Sequence, residues 1–400
     1  MPIDEIFQET VTRVEQPSSH FTLLRAPNGD YLGASDEGFA TFDYVDDKAI
    51  WDSDGEGYRH VATGLVVETE SPRSKDGSYL RHGGKWLASN GTLADAAALF
   101  VPGHGPAHMP SAYLKSFREN GWVCVPAIIA PDIIEELERV SFTGRWEENG
   151  AFDRSVAPML QTSAVAKIAT EPVSLWLMRE YMGVQDIRLG HSPGFAILPK
   201  DDGKRNVQGW HSDFPYLWGI AGRTKDRIPV HQVDGFAMGV QRNLCVSEFR
   251  KENGATCFKL GSHALGEGPP VEWGTGNANK APGHREARGL PYTGPDADVV
   301  EAPPGSYIVY DSRTWHRAGV NRTPHKRAAM LQAVIPMYML PFRDTSRVYK
   351  EFINGPYVEE LTELEKRELE ALMVSRMLSP DGPLAITVDD ELTERIRPAD

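Results

Sequence analysis

Apolar and polar positions along this chain change texture three times. From Phe21 to about residue 101 the apolar residues come in short runs (Phe21 to Arg25, Gly38 to Tyr44, Leu65 to Thr69). Turn-forming stretches separate them at Pro27-Asn28-Gly29-Asp30, Asp52 to Gly57 and Gly83-Gly84. This pattern predicts a small all-β unit over 19–101. Within it Gly29-Asp30-Tyr31-Leu32 resembles Gly77-Ser78-Tyr79-Leu80, and Leu32 to Asp36 resembles Leu87 to Asn90, which suggests repeated hairpins. A Pro/Gly/His stretch over 102–110 reads as a linker. Its His104 and His108 lack a helix to align them and a third ligand, so no metal is expected there.

From Ser111 the period changes. Ser111 can cap a helix reaching about Asn120, with Gly121 as its stop, and Pro131-Asp132 open a second helix. There Ile133, Ile134, Leu137 and Val140 recur at helical spacing and predict a core face. A third helix is predicted over Pro172 to Tyr181, ended by Gly183. Strand-like runs follow at Asp186 to Leu189, Phe195 to Leu198, Ile228 to Val233, Phe236 to Val246, Thr256 to Leu260, Ser306 to Tyr310 and Ala328 to Tyr338. They suffice for two antiparallel sheets, so the expected class is mainly β (α+β): a double-stranded β-helix, or jelly roll, with flanking helices over 111–355. The 264–304 segment is rich in Gly, Pro and charge, and is expected to be a mobile flap. A helical tail is predicted over 356–400. Thr362 and Glu365 form a capping box there, and Leu369, Leu372 and Met373 share one face that packs on the barrel or on a second copy in a homodimer.

Composition narrows the function. Four hundred residues allow a main domain and a smaller unit, and a formal charge of −14 disfavours nucleic acid and anionic membrane as partners. Cys124, Cys245 and Cys257 have no framework spacing and read as reduced, buried thiols. The acidic N-terminus shows no signal pattern and no stretch reaches about 18 apolar residues, so a soluble, cytoplasmic protein is expected.

Candidate chemistry is concentrated in Gly209-Trp210-His211-Ser212-Asp213-Phe214-Pro215-Tyr216. Residues two apart on a strand point to one face, so His211 and Asp213 can offer an imidazole nitrogen and a carboxylate oxygen to one point. Two histidines and one carboxylate form a facial triad that holds non-haem Fe(II) with positions left open. His316, after the apolar run Tyr307 to Tyr310, supplies the third ligand. Eleven residues further on, Arg327 presents a fork-shaped cation able to hold a co-substrate carboxylate. Gln208 could contact the co-substrate or order a ligand. Trp210, Phe214 and Tyr216 put aromatic surface beside the metal, and Arg242 could meet a substrate acid, although core packing accounts for the aromatics as well.

The order His-x-Asp, long insert, His, Arg resembles the phytanoyl-CoA dioxygenase family of Fe(II)- and 2-oxoglutarate-dependent oxygenases. Asn253-Gly254-Ala255-Thr256-Cys257-Phe258-Lys259-Leu260-Gly261-Ser262-His263 is similar to that family's "NGA…PGSH" stretch, and Leu114 to Leu137 resembles its helix-strand-helix opening. The resemblance spans about 111–345. It departs at Leu260, where Pro is usual, and at Ala318, two after the late histidine, where Ser is common. The second change would leave more of the co-substrate contact to Arg327.

The resemblance implies Fe(II), 2-oxoglutarate and O2, with ascorbate as auxiliary reductant, acting on a small-molecule substrate. The implied reaction is hydroxylation, or another oxidation, of an unactivated carbon in a small organic molecule such as one of secondary metabolism. Halogenating relatives carry a small residue in place of the carboxylate, so Asp213 argues for oxygenation. Two other readings remain: a cupin-like metal-dependent isomerase or 2-oxoglutarate-independent dioxygenase, in which Arg327 has no evident role, and a non-catalytic binding protein.

Overall fold

The computed structural model describes residues 9–53, 55–70, 76–203, 209–213, 237–266, 268–269, 296–379 and 382–386. The main domain is a double-stranded β-helix built from two facing sheets. The larger sheet runs in the order Trp122–Val125, Tyr307–Asp311, Val240–Cys245, Arg327–Pro336, and every pairing in it is antiparallel. Ile187–Leu189 and Gly194–Leu198 both pair with Arg327–Pro336, one along each half of its length. The smaller sheet has the order Glu9–Arg13, Ala297–Glu301, Cys257–Lys259, Trp315–Arg317.

Strand alternation in the larger sheet separates two environments. Tyr307 and Val309, Val240 and Leu244, and Met330 and Val334 face the helices Pro110–Asn120, Pro131–Ser141, Ala164–Ala169 and Pro172–Met182 and share one core with them. Ile308 and Tyr310, Cys245 and Ala329 face the smaller sheet, where Trp210, Phe249, Phe258 and Trp315 close a second core. The period of two that marks these runs as strands therefore decides which side chains can reach the space between the sheets.

The helix boundaries follow local chemistry. Gly121, Phe142 and Gly183 take left-handed backbone conformations at three C-termini, and Pro110, Pro131 and Pro172 occupy the first turns. Met109, not Ser111, precedes the first helix, because Pro110 suits its opening turn better than a capping hydroxyl one residue later. Gly121 has a second constraint: a Cβ there would lie 2.3 Å from the His263 ring.

The N-terminal unit is a single ten-stranded sheet between Thr22 and His104. Consecutive residues in its strands serve different cores. Leu24, Leu32 and Trp51 pack inside the unit, where Trp51 Nε1 donates to the Leu32 carbonyl at 2.8 Å. Their neighbours Leu23, Tyr31 and Ile50 join the core of the main domain.

Three boundaries differ from the sequence expectation. Glu9–Arg13 precedes the N-terminal unit but pairs in parallel with Ala297–Glu301, so it belongs to the smaller sheet of the main domain. Leu99–His104 is a strand paired with Thr22–Arg25, which shortens the linker. His104 Nε2 donates to the Ala127 carbonyl (2.7 Å), and its ring lies at a tilt against that of His20. The tail contains a helix, Glu363–Met373, with the expected capping box and with Leu369, Leu372 and Met373 buried on this chain's own core, followed by a hairpin of Ser375–Ser379 and Gly382–Ile386. Most of 264–304, the strand expected at Ile228 to Val233, Gln208, Phe214 and Tyr216 lie outside the described residues. No helix among the described residues is long and apolar enough to cross a membrane.

Candidate metal centre and its pocket

His211 and His316 meet as a bridge between chain segments, each backbone N–H donating to the other's carbonyl (3.0 and 2.9 Å). Asp213 N–H donates to the Ser312 carbonyl at 2.9 Å, so both ends of His-x-Asp are tied to the segment that carries His316. That segment is itself braced. Asp311 receives a buried bidentate contact from Arg313 (2.9 and 2.7 Å) and a part-buried hydrogen bond from Tyr181 OH (2.9 Å).

The Gly-Ser-His stretch has a mechanical part in this. Ser262 Oγ accepts from the Trp315 N–H (2.7 Å) and donates to the Lys259 carbonyl (2.6 Å), which locks the short His316 strand to Cys257–Lys259.

One ligand atom from each of His211, Asp213 and His316 can be chosen so that all lie within 4.8 Å of one another. Asp213 Oδ1 is 3.8 Å from His211 Nε2 and Oδ2 is 3.2 Å from His316 Nε2. The opposite ring nitrogens are already engaged: His211 Nδ1 lies 2.8 Å from the Gly209 carbonyl and His316 Nδ1 lies 3.0 Å from that of Thr314. A carbonyl can only accept, so both Nδ1 atoms carry hydrogen and both Nε2 lone pairs are directed to the shared point.

The electrostatics agree with a cation site. Burial, helped by the neighbouring His316, pulls His211 down to about 4, so its imidazole is neutral at pH 7. Burial raises the Asp213 carboxyl, but His316, His211 and Tyr310 outweigh it and hold it at about 2. Burial lowers His316, and Asp213 reverses the shift and raises it. Two neutral-capable imidazoles and a committed carboxylate suit a divalent transition metal in number, kind and spacing.

The cluster opens into a pocket of about 270 Å³ that Arg327 also lines. Arg327 is buried, its Nη2 donates to the Gly254 carbonyl (2.6 Å), and its guanidinium lies over the Phe249 ring. Its Nε has no partner and no carboxylate pairs with it among the described residues. Burial lowers it to about 10, which leaves it cationic at neutral pH. Ala318, where the family often has Ser, is also part of the pocket wall.

Two sequence candidates lie elsewhere. Arg242 faces the helices, where Nη1 donates to Ser174 Oγ (2.7 Å) and Nη2 to the Ala169 carbonyl (2.8 Å) and Gln332 Oε1 (2.5 Å). It shares the phase of Val240 and Leu244, so substrate contact is replaced by a structural role. Trp210 is fully buried beneath the Arg317 guanidinium (5.4 Å) and does not line the pocket, since it is one residue out of phase with His211.

Several residues of the pocket wall are not singled out by the sequence. Gln241 and Asn243 stand either side of Arg242 on the Val240–Cys245 strand and point into the pocket, as does Tyr310 on the adjacent strand. His191, between Ile187–Leu189 and Gly194–Leu198, lines it too. The available signal was polar residues at period two inside an apolar run; His191 gave none.

A jelly roll with a two-histidine, one-carboxylate cluster and a buried cation across the same pocket defines a class of candidate metal enzymes. Residues 117–329 match the model of the phytanoyl-CoA dioxygenase family, more than half of the 400 residues, and the chain belongs to that family. Similar solved structures include the non-heme alpha ketoglutarate dependent epimerase SnoN from nogalamycin biosynthesis: 16% identity, TM-score 0.38, covering 57% of this chain and 83% of that one. HygX from Streptomyces hygroscopicus with nickel and 2-oxoglutarate bound is another: 14% identity, TM-score 0.41, covering 58% and 89%. No curated protein matches the sequence.

Proposed function

We propose that this protein is a non-haem Fe(II)- and 2-oxoglutarate-dependent oxygenase that hydroxylates an unactivated carbon of a small organic molecule. The observation that carries the reading is the conjunction, in one pocket, of the His211, Asp213 and His316 cluster with an Arg327 that is buried, cationic and without a carboxylate partner among the described residues. A buried, unpaired guanidinium is unfavourable unless an anion completes it, and 2-oxoglutarate offers a distal carboxylate for that purpose. Family membership supports the same chemistry.

His211 and His316 would hold Fe(II) through Nε2, with Asp213 as the anionic ligand. When bound, the metal and co-substrate supply O2 activation coupled to decarboxylation of 2-oxoglutarate to succinate. The chain's own task is orientation. Backbone carbonyls fix the two imidazole tautomers, and Arg327 sets the direction of the co-substrate across the pocket. Asn243, Gln241 and His191 give polar walls, while Leu331, Ala333 and Phe342 give apolar ones, so a small substrate with both kinds of surface is suited to the space.

Anaerobic titration with Fe(II) and 2-oxoglutarate tests the proposal. A weak visible charge-transfer band that needs both components, and succinate formation on admission of O2, are the expected results. A band or turnover independent of 2-oxoglutarate would favour the isomerase or 2-oxoglutarate-independent reading. No metal binding at all would leave only the binding-protein reading.

A further inference from the structure

Tyr310 is buried at the floor of the pocket and is none of the three candidate ligands. Its hydroxyl lies 3.3 Å from Asp213 Oδ2 and 3.5 Å from His316 Nε2, so it touches two members of the cluster. On its other side Asn243 Nδ2 approaches the same oxygen at 3.2 Å. A side-chain amide nitrogen can only donate, so the phenolic oxygen is the acceptor there and its own hydrogen remains for the metal side.

Packing holds this geometry without help from the hydroxyl. The Phe258 ring meets Tyr310 edge to face with centroids 5.1 Å apart, and Tyr310 lies in the core between the sheets with Ile308 and Trp315. Of its two acceptors, His316 Nε2 is the atom expected to face a metal. Once that lone pair is engaged, Asp213 Oδ2 is what remains for Tyr310 to donate to.

We infer that Tyr310 is a positioning residue of the metal centre: its hydroxyl, oriented by Asn243, donates to Asp213 Oδ2 and restrains the rotation of the liganding carboxylate. The inference rests on the metal reading of the cluster. It makes the pocket's polar floor a chain, Asn243 to Tyr310 to Asp213, so that a change at Asn243 reaches the metal without contacting it. Partners that orient ligands in this way typically account for about 10- to 100-fold in metal affinity.

The experiment uses the full chain and Co(II), whose visible spectrum reports its ligand field, with binding measured in parallel by calorimetry. Tyr310→Phe keeps the ring and its packing and removes only the donor. About tenfold weaker Co(II) binding and displaced Co(II) bands are expected, with the melting temperature of the metal-free protein close to wild type. Asn243→Ala should give a smaller loss in the same direction, and should add nothing further in the Tyr310→Phe background, because it acts through the hydroxyl. Equal affinity and unchanged bands in Tyr310→Phe would overturn the inference while leaving the metal reading intact. Full additivity of the two losses would overturn the chain from Asn243. Failure of the wild-type protein to bind Co(II) would remove the metal reading and this inference together.

Discussion

Replacing Arg327 with methionine separates a residue kept for a ligand from one kept for the fold. Methionine keeps an unbranched apolar side chain and deletes the charge that lies over the Phe249 ring. In the metal-free protein the guanidinium is a burden. Its fall from 12.5 to about 10 on burial corresponds to roughly 3 kcal/mol of cost to the folded state. Against that, the variant loses the hydrogen bond to the Gly254 carbonyl, worth about 1.5–3 kcal/mol for a charged donor, and the ring contact, worth about 1 kcal/mol. The two sides nearly cancel, so Arg327→Met should melt within a few degrees of wild type. With 2-oxoglutarate present the balance changes, because one or two charge-assisted bonds to its distal carboxylate are lost, about 1.5–3 kcal/mol, or about 10- to 100-fold in affinity. The assay is the rise in melting temperature with 2-oxoglutarate at saturating Mn(II), which reports binding to the folded state by mass action. Wild type should show a graded rise, and the variant should need about 10- to 100-fold more co-substrate for the same rise. An unchanged response would show that the anchor lies elsewhere, and a loss of many degrees without ligand would make Arg327 a structural residue.

Other consequences can be checked the same way. His211→Ala or Asp213→Ala should abolish Mn(II) binding in calorimetry while the metal-free far-UV dichroism stays like that of wild type; retained stoichiometry in both would dismiss the ligand assignment. Arg242→Ala should lower stability by about 3–5 kcal/mol in urea unfolding, since it strands Ser174, Gln332 and the Ala169 carbonyl in a buried site, whereas a change in 2-oxoglutarate affinity without loss of stability would return it to the pocket. Glu301 has its carboxyl held below 4.5: burial raises it, but the Lys251 N–H and the Arg13 and Arg250 side chains outweigh that. A depressed folded value means that its stabilisation is complete above the unfolded value and is lost as pH falls through the folded one. Glu301→Gln should therefore flatten the acid limb of a stability profile below about pH 4.5, and an unaltered limb would contradict it.

Much of this molecule is legible in its sequence, and the reason is local. Helix ends at Gly121 and Gly183, first turns at Pro131 and Pro172, and the Thr362 to Glu365 box depend on a few adjacent residues. The candidate cluster was legible because metal chemistry restricts residue type so strongly that His-x-Asp, a later His and an Arg at a set distance stand out together. What escaped was phase and pairing over distance. Arg242 and Asn243 are neighbours in sequence, and only the register of Val240–Cys245 against Tyr307–Asp311 and Arg327–Pro336 sends one to the helices and the other to the pocket. Tyr310 comes to lie beneath Asp213, and the pairing of His211 with His316 turns Trp210 away from the pocket. Glu9–Arg13 joins a strand near residue 300, a contact no local pattern encodes because a parallel pairing fixes neither partner by proximity along the chain. Sequence thus determined which groups could bind a metal; tertiary structure decided which polar side chains face it, because strand alternation names two faces and only the packed sheets say which one is inside.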